Sequence, residues 1–431
     1  MATKRKRRPK TWLLSLLNGL FMLCLAFYWL SLPYTFGDEA FLIKWSSLTK
    51  KTLFGIDPKP SPEEVLFVNV SKNKTTINTK NEFDEISPYH RKVITDRKQL
   101  AEFFVLLNHY QADIRFVLCD ILFEDSTQYD TILNKEFAKL NKKLLGVSHL
   151  TKKGDYIRPV IQIPYASATY NATQGLFLKF PMLLNDSLKT VPLMMYEQLN
   201  EVRFHKRGAF YRINGRLSLP APIVDFKVRN PDFRIGDVNL TDYGANEDKK
   251  GDTTALFTVW EMGTILQMQK DSILTKAELG AFFKNKIILI GDFKDDIHTT
   301  PFGKMPGLLL IYNAYLTLVA KQNLVSVGWI FFMLLAFTFI SHRIFSDIKV
   351  EKPRWLVGMF RSKVGLLVLN SLDELGLLMI LTLLSYFLFN IHINILIFLF
   401  YLKLIDFLWN KARLPKPKSA APVEEAATSS N

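Results

Sequence analysis

Four apolar stretches constrain the fold of this chain more than any other feature. The first, residues 12–32, directly follows a basic cluster, and the other three, 325–344, 368–389 and 391–409, lie close together near the C-terminal end. A helix needs about 20 apolar residues to cross the hydrocarbon layer of a bilayer, and each stretch is about that long. Residues 33–322 between them have an ordinary globular composition. The pattern predicts one N-terminal and three C-terminal transmembrane helices around a folded domain.

The basic residues predict how these helices are oriented. Lys and Arg cluster in the N-terminal segment 1–11, in the loop 345–367 and in the tail 410–431. Such clusters stay on the cytoplasmic side, so we expect all three segments inside and residues 33–322 outside. The tail is rich in Pro, Ala, Ser and Glu, which is typical of disorder. No small-residue cleavage site follows the first stretch, which favours an uncleaved anchor at 12–32 over a signal peptide.

The distribution of charged residues and the small number of cysteines indicate the cellular compartment of the protein and the kinds of partner it can bind. The net charge of +15 lies mainly in the three basic segments, whereas the domain between the first two stretches is nearly balanced. This predicts attraction to anionic membrane lipid and argues against a nucleic-acid partner. The two cysteines, Cys24 and Cys119, cannot form a framework of disulfides. We therefore expect a multi-pass protein of the bacterial inner membrane with residues 33–322 in the periplasm.

The first half of the outer domain alternates between strand and helix patterns. The predicted strands cover 65–70, 116–118 and 144–147. Amphipathic helices are expected after the N-cap candidate Asp96 and at 129–140. Alternation at this spacing predicts an α/β fold, a mostly parallel sheet with helices on both faces.

The second half is less regular. Extended runs are expected near 157–163 and 176–180, and 209–219 predicts a hairpin that turns at Asn214-Gly215, inserted in the fold or added as an antiparallel edge. The later segments predict helices at 255–268 and 276–283, a buried strand at 287–290 and a final helix at 308–321. We expect the final helix to run nearly straight into the stretch 325–344 and to couple sheet and membrane through one stiff element.

Residues 284–323 carry motifs of a known family. An apolar strand ends in Ile290-Gly291, an Asp precedes Thr300-Pro301, and Pro306-Gly307 leads into a helix with Asn313-Ala314. The segments Ile94–Arg97 and Cys119–Phe123 are similar to earlier parts of the same family. On these residues the chain resembles the CHASE domain of the second type, a sensory extracellular domain associated with cyclases and histidine kinases. The resemblance covers most of residues 60–322.

The resemblance implies a sensor, with two departures from the family pattern. The arrangement of one span before the domain and three after it is also that of the family. Such domains commonly carry an Asp after the first strand, where this chain has Asn69 and Ser71, so a role of that acid does not transfer. Family members usually continue into an output module, whereas only the tail 410–431 follows the last stretch here. We therefore expect a stand-alone form that acts on a separate protein.

A candidate ligand site follows from the rule that open parallel sheets bind ligands beyond the carboxyl ends of their strands. The rule selects Asn69, Ser71, Asp120, Glu124, Asp125, Ser148, Asp292, Asp295, Asp296 and His298. The hypothesised ligand residues among them are Asn69, Ser71, Asp120, Asp292, Asp296 and His298. Carboxylates with a histidine can hold a divalent cation or contact a polar ligand. The alternative is that these are loop residues that cap turns and helices; the sequence predicts no cofactor and leaves any metal open.

Two glycines near this edge have two readings each. Gly291 could allow close approach of a ligand, but after an apolar strand the permissive backbone of a tight turn is favoured. The pair Pro306-Gly307 most simply ends a loop and lets the helix start.

Charged residues also occur at the membrane end of the chain. Asp373 and Glu374 lie near the start of the third stretch, Lys403 and Asp406 near the inner end of the fourth, and Trp355 in the basic loop. Ionisable groups at membrane depth are costly and tend to pair, so an ion pair of Lys403 with one of the two acids is plausible. We favour an interfacial position for the whole set, with a place inside the bilayer as the alternative.

These features predict a membrane-anchored sensor that passes a shift to a separate effector in the membrane or cytoplasm. The stimulus is expected to be a small molecule, an ion or an envelope partner in the periplasm, and self-association is left open. The alternative is a scaffold of an envelope complex without a small ligand. Enzyme motifs are missing, so no catalytic residues are predicted; a hydrolase centred on Asp120 and Asp296 ranks last.

Overall fold

The computed structural model describes most of the chain. It describes residues 9–33, 35, 37–55, 58–80, 89–151, 156–169, 176–185, 187–208, 210–235, 256–346 and 363–413. The predicted interfacial residue Trp355, the basic loop around it, and the tail beyond residue 413 lie outside these ranges.

The helices and strands follow one another with few long interruptions. In chain order they are α1 (Pro9–Leu30), α2 (Gly37–Thr52), β1 (Val65–Asn69), β2 (Lys74–Lys80), β3 (Tyr89–Thr95), α3 (Arg97–His109), β4 (Phe116–Asp120), α4 (Asp130–Leu140), β5 (Leu144–Ser148), β6 (Tyr165–Ser167), β7 (Leu183–Leu184), β8 (Leu188–Lys189), α5 (Val191–Asn200), β9 (Phe204–Arg207), β10 (Phe210–Ile213), β11 (Arg216–Ser218) and β12 (Phe233–Ile235). They continue with β13 (Phe257–Glu261), α6 (Met262–Lys270), α7 (Lys276–Phe283), β14 (Ile287–Gly291), β15 (Ile297–Thr300), β16 (Gly303–Pro306), α8 (Gly307–Val319), α9 (Val327–Phe345), α10 (Lys363–Phe389) and α11 (Ile395–Arg413).

These elements belong to two compact units. The helical unit is drawn from residues 1–25, 331–381 and 394–431, and the sheet unit from residues 26–330 and 382–393. The sheet unit therefore includes the last residues of α1, the helix α2 and the short segment between α10 and α11.

A seven-stranded sheet forms the core of the sheet unit. Its strand order is β12-β13-β1-β14-β4-β5-β6, and every pairing within it is parallel. Side chains alternate between its faces: Phe67 and Leu289 pack towards α5 and α8, whereas Val68 and Ile290 pack towards α3, α4, α6 and α7. Because both faces are covered by helices, the central strands are apolar throughout. The predicted α/β class, mostly parallel with helices on both faces, is confirmed.

Local sequence signals explain where several elements begin. The Asp96 carboxylate accepts hydrogen bonds from the Lys98 and Gln99 N–H groups and caps α3, as its side-chain type predicts. The predicted hairpin is β10 and β11, and its turn residues Asn214 and Gly215 have φ of 48° and 79°. Two positive φ angles in a two-residue turn match the twist of the paired strands. The hairpin joins β9 in a separate three-stranded sheet and adds no edge to the main one.

The helix predicted at 255–268 is wrong in its first part. Residues Phe257–Glu261 form β13, a parallel strand beside β1, and only Met262–Lys270 is helical. The run is apolar enough for either structure, and pairing with the neighbouring strand decides it.

The expected stiff connection into the second apolar stretch is also wrong. Helix α8 ends at Val319, and Lys321 has a φ of 58°, with the Gln322 N–H donating to the Thr317 carbonyl across it. This left-handed residue terminates the helix. The chain then joins the hairpin, since Val325 N–H donates to the carbonyl of Leu217, before α9 begins. Helices α8 and α9 are therefore separate elements.

Two of the four predicted spans meet the length and apolarity of a membrane-crossing helix within the described part of the chain. They are Thr11–Leu30 in α1 and Val327–Phe345 in α9. The other two predicted spans coincide largely with α10 and α11, and their crossing of a membrane stays a prediction. In the helical unit, α1 and α9 approach closely, because a Cβ on Gly19 would lie 2.9 Å from the backbone nitrogen of Thr338.

Candidate functional site

The carboxyl ends of three neighbouring strands lie side by side at the centre of the sheet. In the register of β1, β14 and β4, Asn69 lies opposite Gly291, and Gly291 lies opposite Asp120. Asp292 and the loop to Asp296 follow directly. The topology therefore brings the predicted site residues to one edge, as expected for a parallel sheet.

Asn69 is buried and its side chain is fully engaged. Its amide N–H group donates to Ser71 Oγ and to Glu261 Oε1, both at 2.9 Å. Its Oδ1 accepts from the backbone N–H groups of Ser71 at 3.0 Å and Phe293 at 3.1 Å. These bonds tie the ends of β1, β13 and β14 together, so Asn69 and Ser71 hold the edge in shape.

The surroundings of Asp120 at this edge change the pKa of its carboxyl strongly. Burial raises the pKa of the Asp120 carboxyl to about 8, and the nearby Asp296 and Asp292 carboxylates raise it further while His298 opposes them. A carboxyl in these surroundings carries a proton near neutral pH and can donate a hydrogen bond. Asp120 differs in this from Asp292, whose pKa is lowered.

Asp296 and His298 form a pair beside it. The His298 Nε2 and Asp296 Oδ1 atoms are 2.9 Å apart, and the hydrogen bond raises the pKa of the His298 imidazole. Both side chains are about half exposed. The backbone of Asp296 is joined to the start of α8, because the Gly307 N–H donates to the Asp296 carbonyl at 2.8 Å.

The two glycines at this edge are needed for close approach of side chains. A Cβ on Gly307 would lie 2.0 Å from Asp296 Oδ2 and 3.1 Å from His298 Nε2. A Cβ on Gly291 would lie 3.0 Å from Leu308. Gly291 is in a strand and outside the positive-φ region, so the tight turn favoured from sequence is absent there.

Asp292 has a structural partner. Burial opposes its ionisation, but hydrogen bonds from the Lys74 ammonium and from the backbone N–H groups of Asp295 and Lys294 outweigh burial and lower its pKa. Lys74 lies in β2, so this ion pair joins the β2–β3 hairpin to the sheet edge.

The remaining predicted residues lie apart from this group. Glu124 and Asp125 both contact the Lys92 ammonium, at 3.4 and 2.8 Å. The hydrogen bond that the Lys92 ammonium donates to Asp125 raises the pKa of Lys92. Ser148 Oγ donates to the Ile157 carbonyl at 2.9 Å. These contacts agree with the alternative reading of loop residues that fix turns.

Sequence reasoning missed two residues at this edge. His149 follows β5 and lies within electrostatic range of Asp296 and His298; burial lowers its pKa. Its position directly after Ser148 was the available signal. Glu261 was missed because its strand was predicted as a helix.

The site is suited to a polar ligand. Within the described ranges, no group of three or more His, Cys, Asp or Glu side chains is placed to hold a metal ion. A hydrogen-bonding molecule could instead meet the protonated Asp120 carboxyl and the Asp296–His298 pair. A separate groove of about 670 Å³ between α3, α6 and α7 contains none of the predicted ligand residues.

The charged residues near the predicted inner membrane surface include one ion pair. Lys403 Nζ and Glu374 Oε2 are 2.9 Å apart. Asp406 accepts a hydrogen bond from Asn410 at 3.1 Å, and Asp373 is half-buried. Their depth in a bilayer stays a prediction.

The helix α2, which sequence reasoning missed, connects several parts of the sheet unit. Its Glu39 carboxylate lies 2.7 Å from the Lys179 ammonium, and its Lys51 ammonium lies 3.2 Å from Asp225. Two further residues of α2 contact another segment: Ser46 Oγ is 3.2 Å from His392 Nε2, and Lys50 donates to Asn390 Oδ1 at 2.6 Å. Asn390 and His392 belong to the segment between α10 and α11.

A parallel sheet covered on both faces, with polar groups at its carboxyl edge and two apolar helices of membrane-spanning length, defines a membrane-associated α/β domain. The family model described as the CHASE2 domain matches residues 19–341. The chain therefore belongs to the CHASE2 domain family, a family of extracellular sensory domains, which confirms the resemblance seen in the sequence. Neither the curated proteins nor the solved structures contain a match.

Proposed function

We propose that this protein is a membrane-anchored sensor whose periplasmic domain binds a small polar ligand at the carboxyl edge of the sheet and passes the resulting shift through the membrane to an effector protein. One observation carries the proposal. The Asp296–His298 pair lies against Gly307, the first residue of α8, and α8 is the last helix before the second apolar stretch.

The protonated Asp120 carboxyl supports a polar or cationic ligand class. A ligand could accept a hydrogen bond from the Asp120 carboxyl, or its positive charge could cause the carboxyl to lose its proton. Either event would change the electrostatic interactions of Asp120 with Asp296 and His298. We expect this change to displace the Asp296 and His298 side chains, which lie against Gly307 at the start of α8, so that ligand binding shifts α8.

The packing of α8 determines what such a shift can reach. Asn313 of α8 is completely buried, accepts from the Val228 N–H at 2.9 Å and donates to the Val228 carbonyl at 2.8 Å. Thr317 accepts from the Asp225 N–H at 2.9 Å. Asp225 also forms an ion pair with Lys51 of α2. Motion of α8 would therefore be passed to α2, which follows the first predicted span in the chain.

The first test is ligand binding by the full chain in lipid nanodiscs. Thermal melting against panels of amines, amino acids and organic acids should reveal a ligand that raises the melting temperature, since binding to the folded form stabilises it. His298→Gln should remove the increase. The matched control His205→Gln, on the exposed face of β9, should leave it intact.

The second test follows the shift itself. Cysteine crosslinks between two protomers or between α1 and α9 should change their pattern when the identified ligand is added. Absence of any stabilising ligand in the panels, or a stabilising ligand that leaves the crosslink pattern unchanged, would contradict the sensor and favour the scaffold of an envelope complex.

A further inference from the structure

Helix α2 and the two residues that follow it carry four large apolar side chains that are mostly exposed in the described part of the chain. Phe41, Trp45, Leu53 and Phe54 are between 52 % and 77 % exposed. Phe41 and Trp45 are one helical turn apart, with ring centroids separated by 6.0 Å, and Leu53 and Phe54 follow the end of the helix. Phe41 and Trp45 together, and Leu53 and Phe54 at the end of the helix, expose apolar surface to which contact with water is unfavourable.

The opposite face of α2 is occupied and polar. The Glu39–Lys179 pair is almost completely buried, and Lys51 is buried between Asp225 and the Phe226 carbonyl. Ser46 is buried against His392. The helix therefore cannot rotate its aromatic side chains inwards without breaking buried ion pairs, which is strongly unfavourable because it leaves buried charges without partners.

The position of α2 in the chain identifies what can cover the exposed face. Six residues, 31–36, separate the end of α1 from Gly37, so α2 begins within about 25 Å of the end of the first predicted span. At its other end, the Phe54 ring lies 5.4 Å from that of Phe387, in the last turn of α10. Both ends of α2 are thus tied to ends of predicted membrane helices.

We propose that α2 is an interfacial helix that lies on the outer leaflet, with Phe41, Trp45, Leu53 and Phe54 inserted at the boundary of headgroups and acyl chains. Trp and Phe are favoured at that depth, and amphipathic helices bind there through an apolar face. The exposed Lys44 and the half-buried Lys50 add attraction to anionic headgroups. The bilayer then serves as the support against which the sensory domain is held.

The test uses the full chain in proteoliposomes that contain lipids with a quencher attached to the acyl chain. A fluorescent probe is placed on Phe41→Cys or Trp45→Cys in a background of Cys24→Ser and Cys119→Ser. Both probes should lose most of their fluorescence, whereas a probe on Ile273→Cys, which is 62 % exposed on the sheet unit, should lose little. Equal, weak quenching at all three positions would overturn the proposal.

A second measurement avoids substitutions in the helix. Unmodified chain is irradiated in vesicles that contain a photoactivatable phospholipid, and the labelled peptides are mapped by mass spectrometry. Label is expected on residues 41–54 as well as on the apolar spans. Label confined to the spans would overturn the proposal. In the quenching experiment, a disulfide-linked dimer of the unlabelled Trp45→Cys variant, together with no quenching of the labelled one, would also overturn it and would identify a second copy of the chain as the cover.

Discussion

The carboxylate of Glu39 and the ammonium group of Lys179 form an ion pair of 2.7 Å in which the two side chains are 5 % and 2 % exposed. Glu39 lies in α2, and Lys179 lies in the irregular part of the sensory domain, where it also bridges to Ile223. Two buried charges are tolerated because each neutralises the other. The pair fixes α2 to the domain in one orientation.

Removing one partner of this pair should destabilise the sheet unit strongly. In Lys179→Met the Glu39 carboxylate stays buried without its cation, and the expected loss is about 3–5 kcal/mol. In the double variant Glu39→Leu with Lys179→Met, most of this loss should be recovered, because no buried charge is left. The melting temperature of the full chain in nanodiscs measures both.

The exposed pair of Lys270 and Glu102, at 3.1 Å, provides the control. Replacing Glu102 by Gln should change stability by less than about 1 kcal/mol, since exposed ion pairs contribute little. Equal effects of Lys179→Met and Glu102→Gln would show that the buried pair does not hold α2.

Much of the sheet could be predicted from sequence because its strands lie between helices on both faces. Such strands are continuous apolar runs, so 65–70, 116–118, 144–147 and 287–290 stand out, and each corresponds to an observed strand. Strand β13 could not be recognised, since its apolar run continues into α6 without a break. The interruption at Lys321 has no sequence signal either, because a left-handed Lys is unusual and tertiary contacts hold it there.

The candidate site could be predicted only in part. The rule for carboxyl ends brought Asp120, Asp296 and His298 together, since sheet register alone places residues at strand ends. It could not separate these from Glu124 and Asp125, whose partner Lys92 comes from a hairpin the sequence did not reveal. The role of α2 was also hidden, because its contacts reach residues far away in sequence.

The Asp120 carboxyl should make stability depend on pH. Its pKa is about 8 in the folded protein against an ordinary value of 3.8, so the folded state holds an extra proton between these values. Stability from this group therefore falls as pH rises through that window, by at most about 1.4 kcal/mol per pH unit. In Asp120→Asn this pH dependence should be absent. The free energy of unfolding of the variant should therefore rise relative to that of the wild type as the pH increases from about 5 to about 8.

Melting temperatures of both proteins in nanodiscs across that range measure the difference. Asp295→Asn, at a neighbouring and largely exposed carboxylate, serves as control and should follow the wild type. A constant difference between Asp120→Asn and the wild type at every pH would contradict the environment described for Asp120.

The close approach of α1 and α9 should not tolerate a side chain at Gly19. A Cβ there would lie 2.9 Å from the Thr338 nitrogen and 3.1 Å from its Cα, so the backbones themselves must separate. Small residues permit such approach between membrane helices, and overpacking costs about 1–3 kcal/mol. Gly19→Ala should lower the melting temperature, whereas Gly376→Ala, at an open position of α10, should not. Similar melting temperatures for both variants would rule out this packing.

A side chain at Gly307 should disrupt the Asp296–His298 pair and leave the fold intact. The added Cβ of Gly307→Ala meets the end of the short Asp296 side chain, which is half exposed and can rotate away. The pKa of His298 is raised chiefly by its hydrogen bond with Asp296, so it should fall in the variant. In the wild type, the stability from this raised pKa is fully present below the ordinary value for histidine and is lost as pH rises through the folded value.

Modification of His298 by diethyl pyrocarbonate, followed by mass spectrometry, reports the unprotonated fraction and should be faster in Gly307→Ala near neutral pH. The control Gly280→Ala, whose Cβ would be in ordinary contact with Tyr110, should react like the wild type, and equal rates in all three proteins would show that Gly307 does not position the pair.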